Sequence, residues 1–509
     1  YLLEVEYFDA VWNYNCDSLL IEIDEENTIV DVEIPLTANF ECPLMAVDLT
    51  TPILQRCEQT DYRIQVFNNG TVYAENPYLD LELDHSLELI ESSRPFTEVN
   101  EGLYRFQLGN MNVSEGRIIS LVVEVDCDST IIGQTHCASA FVYPDTACFE
   151  VSDDWDGSVI DVDGDCLGDS VLFRIQNKGQ SNMIAPIQYY VIEDEAIFRN
   201  GIFQLDAGES EFITVAANGA TYRLETDENP GYIFDGRPSV TIEVCGVEFG
   251  ETPSLGLVNS FPMYDNSPFV SIDCQENIQD LNGNLHIAYP TGYSNQNIIR
   301  EGDELEYFIR FENTTSEAIK NVTIVDTLDS NLDISTLKVG VTSHPYTIKI
   351  EEEHILKIHF NEINLSSFIE EDNYGFLKFK ISLKPNLPLG TIISNKVQII
   401  MDATIVETAD VFHQLGEELT VGIVEQYRDN LEIDIYPNPM KNKATISLNG
   451  YNNSDWTLSI YTIDGQLIRL ENFNSNVATF EKKSMPKGIY IFTIDDNNGI
   501  ISTGKLVIQ

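Results

Sequence analysis

Positive charge is scarce in this sequence. Its 509 residues hold 28 Lys and Arg against 83 Asp and Glu, a formal net charge of −55. A surface this acidic reverses the phosphate attraction on which nucleic-acid binding rests and repels anionic membranes, so neither is a partner. Long apolar runs are missing as well: none reaches the roughly 18–20 residues of a membrane helix, so no transmembrane segment is read. Tryptophan occurs only at 12, 155 and 456. A glycan-binding face built on aromatic rings therefore has a single candidate, Trp155. Histidine is rare too. In HILKIHF, alternation sends Leu356, Ile358 and Phe360 inward and leaves His359 beside Lys357 on the solvent face. No His-Glu-x-x-His, Gly-x-Ser-x-Gly or phosphate loop occurs. Carboxylate pairs are too common among 83 acids to single out a glycosidase. The chain is read as no enzyme.

Cysteine is absent after residue 274, and none of the nine falls in a Cys-x-x-Cys pattern. That excludes a zinc ribbon and a thioredoxin motif. The cysteines sit instead at hairpin-like spacings. These predict disulfides Cys127/Cys137, Cys148/Cys166, Cys245/Cys274 and Cys16/Cys42, with Cys57 left over, and an oxidising location.

What the sequence has in abundance is alternation. LKFKISLKP sets Leu377, Phe379, Ile381 and Leu383 on one face and Lys378, Lys380, Ser382 and Lys384 on the other. ELEYFIRFEN does the same with Leu305, Tyr307, Ile309 and Phe311. Asn-Gly turns at 69–70, 218–219, 282–283, 449–450 and 498–499 punctuate the strands. The expected fold is all-β, a tandem series of immunoglobulin-like β-sandwich modules ending in a small β-sandwich. YRIQVFNNG, VLFRIQNKG and EYFIRFENTT repeat a strand ending in Asn before a small-residue turn, at Asn68, Asn177 and Asn313. The boundaries that follow are 1–47 as the end of a preceding β domain, modules at 48–146, 147–272 and 273–417, a linker at 418–434, and a last domain at 435–509. YLLEVEYFDA has no Met, basic segment or apolar signal core, so the chain is read as the later part of something longer.

The densest acidic stretch is DDWDGSVIDVDGDCLGD. Asp161, Asp163, Asp165 and Asp169 alternate with glycine between them, as oxygen ligands of a structural calcium do, although the EF-hand glycine and terminal Glu are missing. An acidic, glycine-rich hairpin is the competing reading. Asn-x-Ser/Thr occurs at Asn69, Asn112, Asn313, Asn321, Asn364 and Asn452.

Charge changes abruptly near the end. Residues 1–434 hold 21 Lys/Arg against 77 Asp/Glu, whereas 435–509 hold 7 against 6. The neutral segment opens with Tyr436-Pro437-Asn438-Pro439 and continues through KATISL, SIYTIDGQLI, MPKGIYIFTI, DDNNGI and TGKLVIQ. It resembles the C-terminal sorting domain of type IX secretion, over all of 435–509 and with five motifs in family order. The resemblance implies that Tyr436, Pro437, Asn438 and Pro439 open the first strand. Asp464 and Gly465 would turn the central hairpin, Gly488 would enter the next strand, and Lys505, Leu506 and Val507 would form the terminal strand the translocon reads. Residues 289–399 resemble an Ig-like module that often precedes this signal in large surface proteins, without its usual acidic entry loop. CDSTIIGQTHC and VSIDCQEN resemble pieces of companion repeats. Asp-Ser/Thr pairs at Ser18, Ser129, Thr146, Ser170 and Thr327 resemble O-glycosylation acceptors of the same bacteria. The resemblance implies export through the periplasm and outer membrane to the cell surface or beyond. The partners it implies are the type IX translocon with its shuttle and attachment proteins, and self-association into a filament or oligomer. Two roles follow: an adhesin, stalk or appendage subunit, or the trailing modules of a protease or glycanase whose catalytic domain precedes residue 1.

Overall fold

In a computed structural model of the chain, alternation resolves into β-sandwiches with separate apolar cores. The structure describes residues 2–3, 11–13, 19–20, 32–416 and 432–508, apart from 34, 128, 146–151, 153, 235, 248–251, 280–282, 353, 368–372, 403, 450–455, 462–466, 484 and 497–498. The first sandwich sets the strand order Met45–Thr50, Gln59–Asn68, Gly116–Val125, Leu87–Ser92 against a six-stranded sheet. That second sheet runs Phe96–Asn100, Leu103–Gln107, Tyr78–Leu83, Thr135–Tyr143, Val270–Ile278, Leu54–Gln55. Tyr62, Ile64 and Val66 from one sheet meet Leu79, Leu81, Ala138 and Val142 from the other in a dry core.

The strand Val270–Ile278 runs antiparallel to Thr135–Tyr143. The boundary drawn at 272/273 falls inside it. The second sandwich therefore occupies the chain between two neighbouring strands of the first. Its sheets run Ile160–Cys166, Ser170–Asn177, Ser210–Ala216 and Ala196–Phe203, Ile187–Glu193, Tyr222–Thr226, Ser239–Ile242. In the third, the order Leu285–Tyr289, Glu304–Glu312, Tyr374–Leu383, Leu332–Thr342 packs against a seven-stranded sheet that contains Val322–Thr327, Ile355–Phe360 and Ile392–Met401. The last pairs Glu432–Tyr436, Lys443–Asn449, Val477–Glu481 with Leu467–Phe473, Trp456–Tyr461, Gly488–Asp496, Gly499–Ile508. Its first strand begins inside the linker drawn at 418–434.

The repeated asparagines hold equivalent positions in three sandwiches, and all three are fully buried. Asn68 donates through Nδ2 to the carbonyls of Val72 and Met111 and accepts at Oδ1 from Gly70 N–H. Asn177 donates to Ser181 and Leu205 and accepts from Gly179, while Asn313 donates to Glu317 and Ser366 and accepts from Thr315. The side chain thus satisfies backbone groups that a buried turn would leave orphaned. Glycine follows at i+2 twice because a Cβ on Gly70 would meet the Leu44 and Cys42 backbone, and one on Gly179 the Gly157–Val159 backbone. Thr315 fills that place in the third sandwich and bonds Asn313 through its hydroxyl.

Among the described residues, disulfides join Cys57–Cys127, Cys137–Cys274 and Cys166–Cys245. This corrects the pairing read from spacing. Cys127/Cys137, Cys148/Cys166 and Cys245/Cys274 do not form, and Cys57 is bonded. The reason is register: Cys137 lies directly opposite Cys274 across two strands that are distant in sequence. Cys16 and Cys148 lie outside the described residues, so the Cys16/Cys42 pairing does too.

Candidate functional site

The terminal domain places its motif residues together. Proline has no N–H to give a ladder, so Pro437 and Pro439 cannot pair as ordinary strand residues. Between them, the Asn438 side chain supplies what the backbone lacks. Its Nδ2 donates to the Lys505 carbonyl at 2.7 Å, and the Val507 N–H donates to its Oδ1 at 2.8 Å. Met440, fully buried, then donates its N–H to the Val507 carbonyl at 2.8 Å and bridges Ile508 in parallel. The Tyr436–Pro437 and Asn438–Pro439 peptides are both cis.

The terminal strand is the edge of its sheet. Leu506 and Ile508 point into the core, and Gly488 lies opposite Ile508. Tyr436 stays 80% exposed beside this clip. The opening motif, Gly488 and Lys505–Val507 therefore form one surface at one end of the domain. Asp464 and Gly465 lie outside the described residues. With the Lys505 carbonyl and both Val507 backbone groups taken by the clip, the motif caps this end of the edge strand and leaves the exposed Tyr436 ring as its most open feature.

The acidic stretch is an ordinary antiparallel strand. Asp161, Asp163 and Asp165 fall on one face of Ile160–Cys166, which pairs throughout with Ser170–Asn177. Same-face residues on a strand stand about 6.5–7 Å apart, too far to converge on one ion at about 2.4 Å from each ligand. Asp161 is taken by Lys178 at 2.7 Å and Asp163 by Arg174 at 2.9 Å, while Asp165 and Asp169 face solvent. Among the described residues no group of three or more His, Cys, Asp or Glu is placed to hold a metal. The four aspartates do not fit a calcium cage.

Other candidates divide by exposure. Asn69, Asn112, Asn321 and Asn364 are exposed, whereas Asn313 is closed to modification in the folded chain. Asn452, Ser18 and Thr146 lie outside the described residues. Trp155 is no open platform: its indole donates to the Ser158 carbonyl, and its ring packs 5.4 Å from Tyr232.

Two buried charge networks escaped the sequence reading. The polar face of LKFKISLKP is only partly open to water: Lys384 is exposed, but Lys378 is closed off. Lys378 is 2% exposed and its Nζ reaches Asp273 and Glu306, each at 3.0 Å, and the Leu49 carbonyl at 2.9 Å. Lys380 adds Asp265 at 3.1 Å. The first sandwich covers this face of the third: the Val341 N–H donates to the Asp48 carboxylate, and Ile53 packs among Phe308, Val341 and Phe376. Alternation identifies a face but not what lies against it.

The second network joins the second and third sandwiches. Glu225, 2% exposed, meets Arg223 at 3.2 Å, Arg237 at 3.2 Å and Arg300 at 2.5 Å. Burial would push Glu225 up, yet the arginines hold it at about 2. A cavity of about 180 Å³ lies between the networks, lined by Arg237, Arg300 and Asp303 on one side and Glu306 and Lys380 on the other. No local signal marks either network: Arg223 and Glu225 alternate with the core residues Tyr222 and Leu224, and Lys378 with Leu377 and Phe379, so each takes the outward phase of its strand.

Residues 434–509 match the family described as "Secretion system C-terminal sorting domain". The chain is a cargo of type IX secretion. Such a cargo is exported to the cell surface or the extracellular space. In this type IX cargo, no helix among the described residues is long and apolar enough to cross a membrane. Residues 284–414 match a family described as "Domain of unknown function (DUF7619)". No curated protein matches the cargo.

Among solved structures, the cargo is similar to the major pilin subunit of Bacillus cereus at 13% identity, covering 65% of this chain and 89% of that one, with a TM-score of 0.20. It is also similar to the collagen-binding subdomain of the Enterococcus faecalis surface protein ACE, at 8% identity over 27% and 99% with a TM-score of 0.20. A third is the C-terminal domain of the Streptococcus pyogenes antigen I/II-family protein AspA, at 8% over 74% and 100% with a TM-score of 0.21.

Proposed function

We propose that this cargo is a structural or adhesive surface protein: an adhesin, a stalk or a subunit of an extracellular appendage. The observation that supports this best is how its sandwiches are fastened to one another. The third is tied to the first through Lys378 and to the second through Glu225, by ion pairs withdrawn from water. Breaking a buried pair from one side costs about 3–5 kcal/mol, so such joints resist bending and pulling in a way that flexible linkers do not. The acidic exterior keeps neighbouring copies soluble until a specific contact forms. The sorting domain is the handle for the translocon and its shuttle and attachment proteins, and self-association into a filament is the assembly this role calls for.

The test compares cells carrying the intact protein with cells carrying a version that ends at residue 433. The shortened form is expected to vanish from the surface, and attachment of the cells to fall with it. Unchanged attachment, together with protease or glycanase activity in surface-released protein, would overturn the reading in favour of a secreted hydrolase.

A further inference from the structure

The contact between the first and third sandwiches holds more than an ion pair. Lys378 lies on Tyr374–Leu383 and Asp273 on Val270–Ile278, 105 residues earlier. Their side chains are 3% and 4% exposed. Lys378 Nζ sits 3.0 Å from Asp273 Oδ2, one C–O bond from the carboxyl carbon. The Thr51 N–H donates to that same Oδ2 at 3.0 Å, and Gln275 Nε2 donates to Oδ1 at 2.8 Å. Both oxygens are therefore held by donors that polarise the carbon and would stabilise charge on it. Glu306 touches Nζ from its other side at 3.0 Å, while the Leu49 carbonyl fixes the remaining N–H. An amine, a carboxyl and a second carboxyl are thus fixed within contact distance, the first two almost closed to water and Glu306 at the wall of the cavity.

We propose that Lys378 Nζ and Asp273 Cγ become joined by an intramolecular amide bond, with Glu306 carrying the protons and one water lost. The step balances without an added reagent. Glu306 takes one proton from the ammonium, and the freed amine attacks Cγ. The Cγ–Oδ2 bond then breaks as Glu306 returns that proton to the departing oxygen, which leaves with a second Nζ hydrogen as water. One N–H remains on the amide. The surrounding carboxylates hold Lys378 charged at rest against its burial, so the amine exists only when Glu306 accepts its proton. Burial pushes Glu306 up to about 7 against the pull of Lys378 and Lys380, which suits a group that both takes and returns a proton near neutrality.

Two features favour the amide once formed. Fixed neighbours react with effective concentrations on the order of 10⁵ M or more, far above what two free groups achieve. The product also replaces two buried opposite charges with one neutral group, removing a desolvation cost of several kcal/mol. The neighbouring Lys380–Asp265 pair, at 3.1 Å, has a lysine side chain 26% exposed to water and no second carboxyl closer than 3.7 Å, and stays an ion pair. Because Asp273 adjoins Cys274, the amide and the Cys137–Cys274 disulfide would make one covalent path from Thr135–Tyr143 to Tyr374–Leu383. Tension would then cross from the first sandwich to the third without passing through the second.

The experiment is the mass of the full chain after denaturation. The expected value is one water, about 18 Da, below the sequence mass corrected for disulfides. A tryptic digest should lack cleavage after Lys378 and contain a branched peptide joining it to Asp273. Glu306→Gln is expected to keep the fold and lower the branched peptide by at least about tenfold. Asp273→Asn is expected to lose ammonia in place of water. Full mass in the unsubstituted protein, with normal cleavage after Lys378, overturns the bond. A bond that survives Glu306→Gln at full yield overturns the role given to Glu306.

Discussion

Glu225 is buried and Glu306 half-buried at contacts between sandwiches, and their protonation goes opposite ways. Burial disfavours the charge on each. Three arginines around Glu225 overcome it and bring that carboxyl to about 2. Glu306 shares two lysines with Asp273 and Asp265, and is pushed up to about 7. Asp326, fully buried in the third sandwich, has Asn395 beside it and no cation, and rises to about 8. Asp303, with Arg300 at 3.6 Å, also moves upward because its burial outweighs the pull of Arg300 and Arg237. The difference is set by how many cations each carboxylate has to itself. Arginine favours the low end, since its planar fork reaches several acceptors and it never loses its charge.

Glu225→Gln breaks this contrast most severely. It keeps the shape but leaves Arg223, Arg237 and Arg300 facing one another in a dry contact. The expected loss at pH 7 is about 3–5 kcal/mol by urea unfolding. The sign with pH follows from the lowered value. Glu225 stabilises the fold above its unfolded value near 4.5, and that contribution disappears as pH falls through about 2. The gap between the variant and the unsubstituted protein should therefore close on acidification. A gap that is flat from pH 7 to pH 2 would mean that packing, not charge, holds this joint.

Asp326→Asn probes the other end of the series. The folded carboxyl, raised to about 8, holds its proton where the unfolded one has released it. Its contribution is complete below about pH 4 and is lost as pH rises toward 8. Asparagine imitates the protonated acid and does not ionise. The variant should gain on the order of 3 kcal/mol relative to the unsubstituted protein between pH 5 and pH 9. Thermal unfolding across that range measures it, and parallel curves would show that Asp326 stays charged.

The strands were legible because a pleated sheet with one dry face imposes a period of two on the sequence. Leu377, Phe379 and Ile381 are all fully buried, as their spacing requires. The turn asparagines were legible as a repeat because the same backbone geometry needs the same side chain three times. The opening motif and terminal strand of the sorting domain were legible as motifs, but their contact through Asn438 was not. Pairing across distance leaves no local mark. For the same reason the disulfides were misread: Cys137 finds Cys274 through sheet register, which hairpin spacing cannot anticipate. The joints were hidden by a further ambiguity. A strand covered on its second face by another sandwich can keep polar residues there, provided each finds a partner, so Lys378 read as a solvent-facing lysine.

The smallest expected effect sharpens the comparison most. Asp48 lies beside the lysine network of the first joint and accepts the Val341 N–H at 2.8 Å. Asp48→Asn keeps an oxygen acceptor there and removes one negative charge from a contact where four carboxylates (Asp48, Asp265, Asp273, Glu306) surround two lysines. At the arginine joint, deleting a carboxylate charge is costly because cations outnumber anions. Here the anions are in surplus, and the deletion relieves repulsion as much as it weakens attraction. The expected change is within about 1 kcal/mol, several-fold below that of Glu225→Gln. Urea unfolding of the two variants side by side decides it. Equal losses would show that the two joints respond to burial alone and that the balance of cations and carboxylates does not distinguish them.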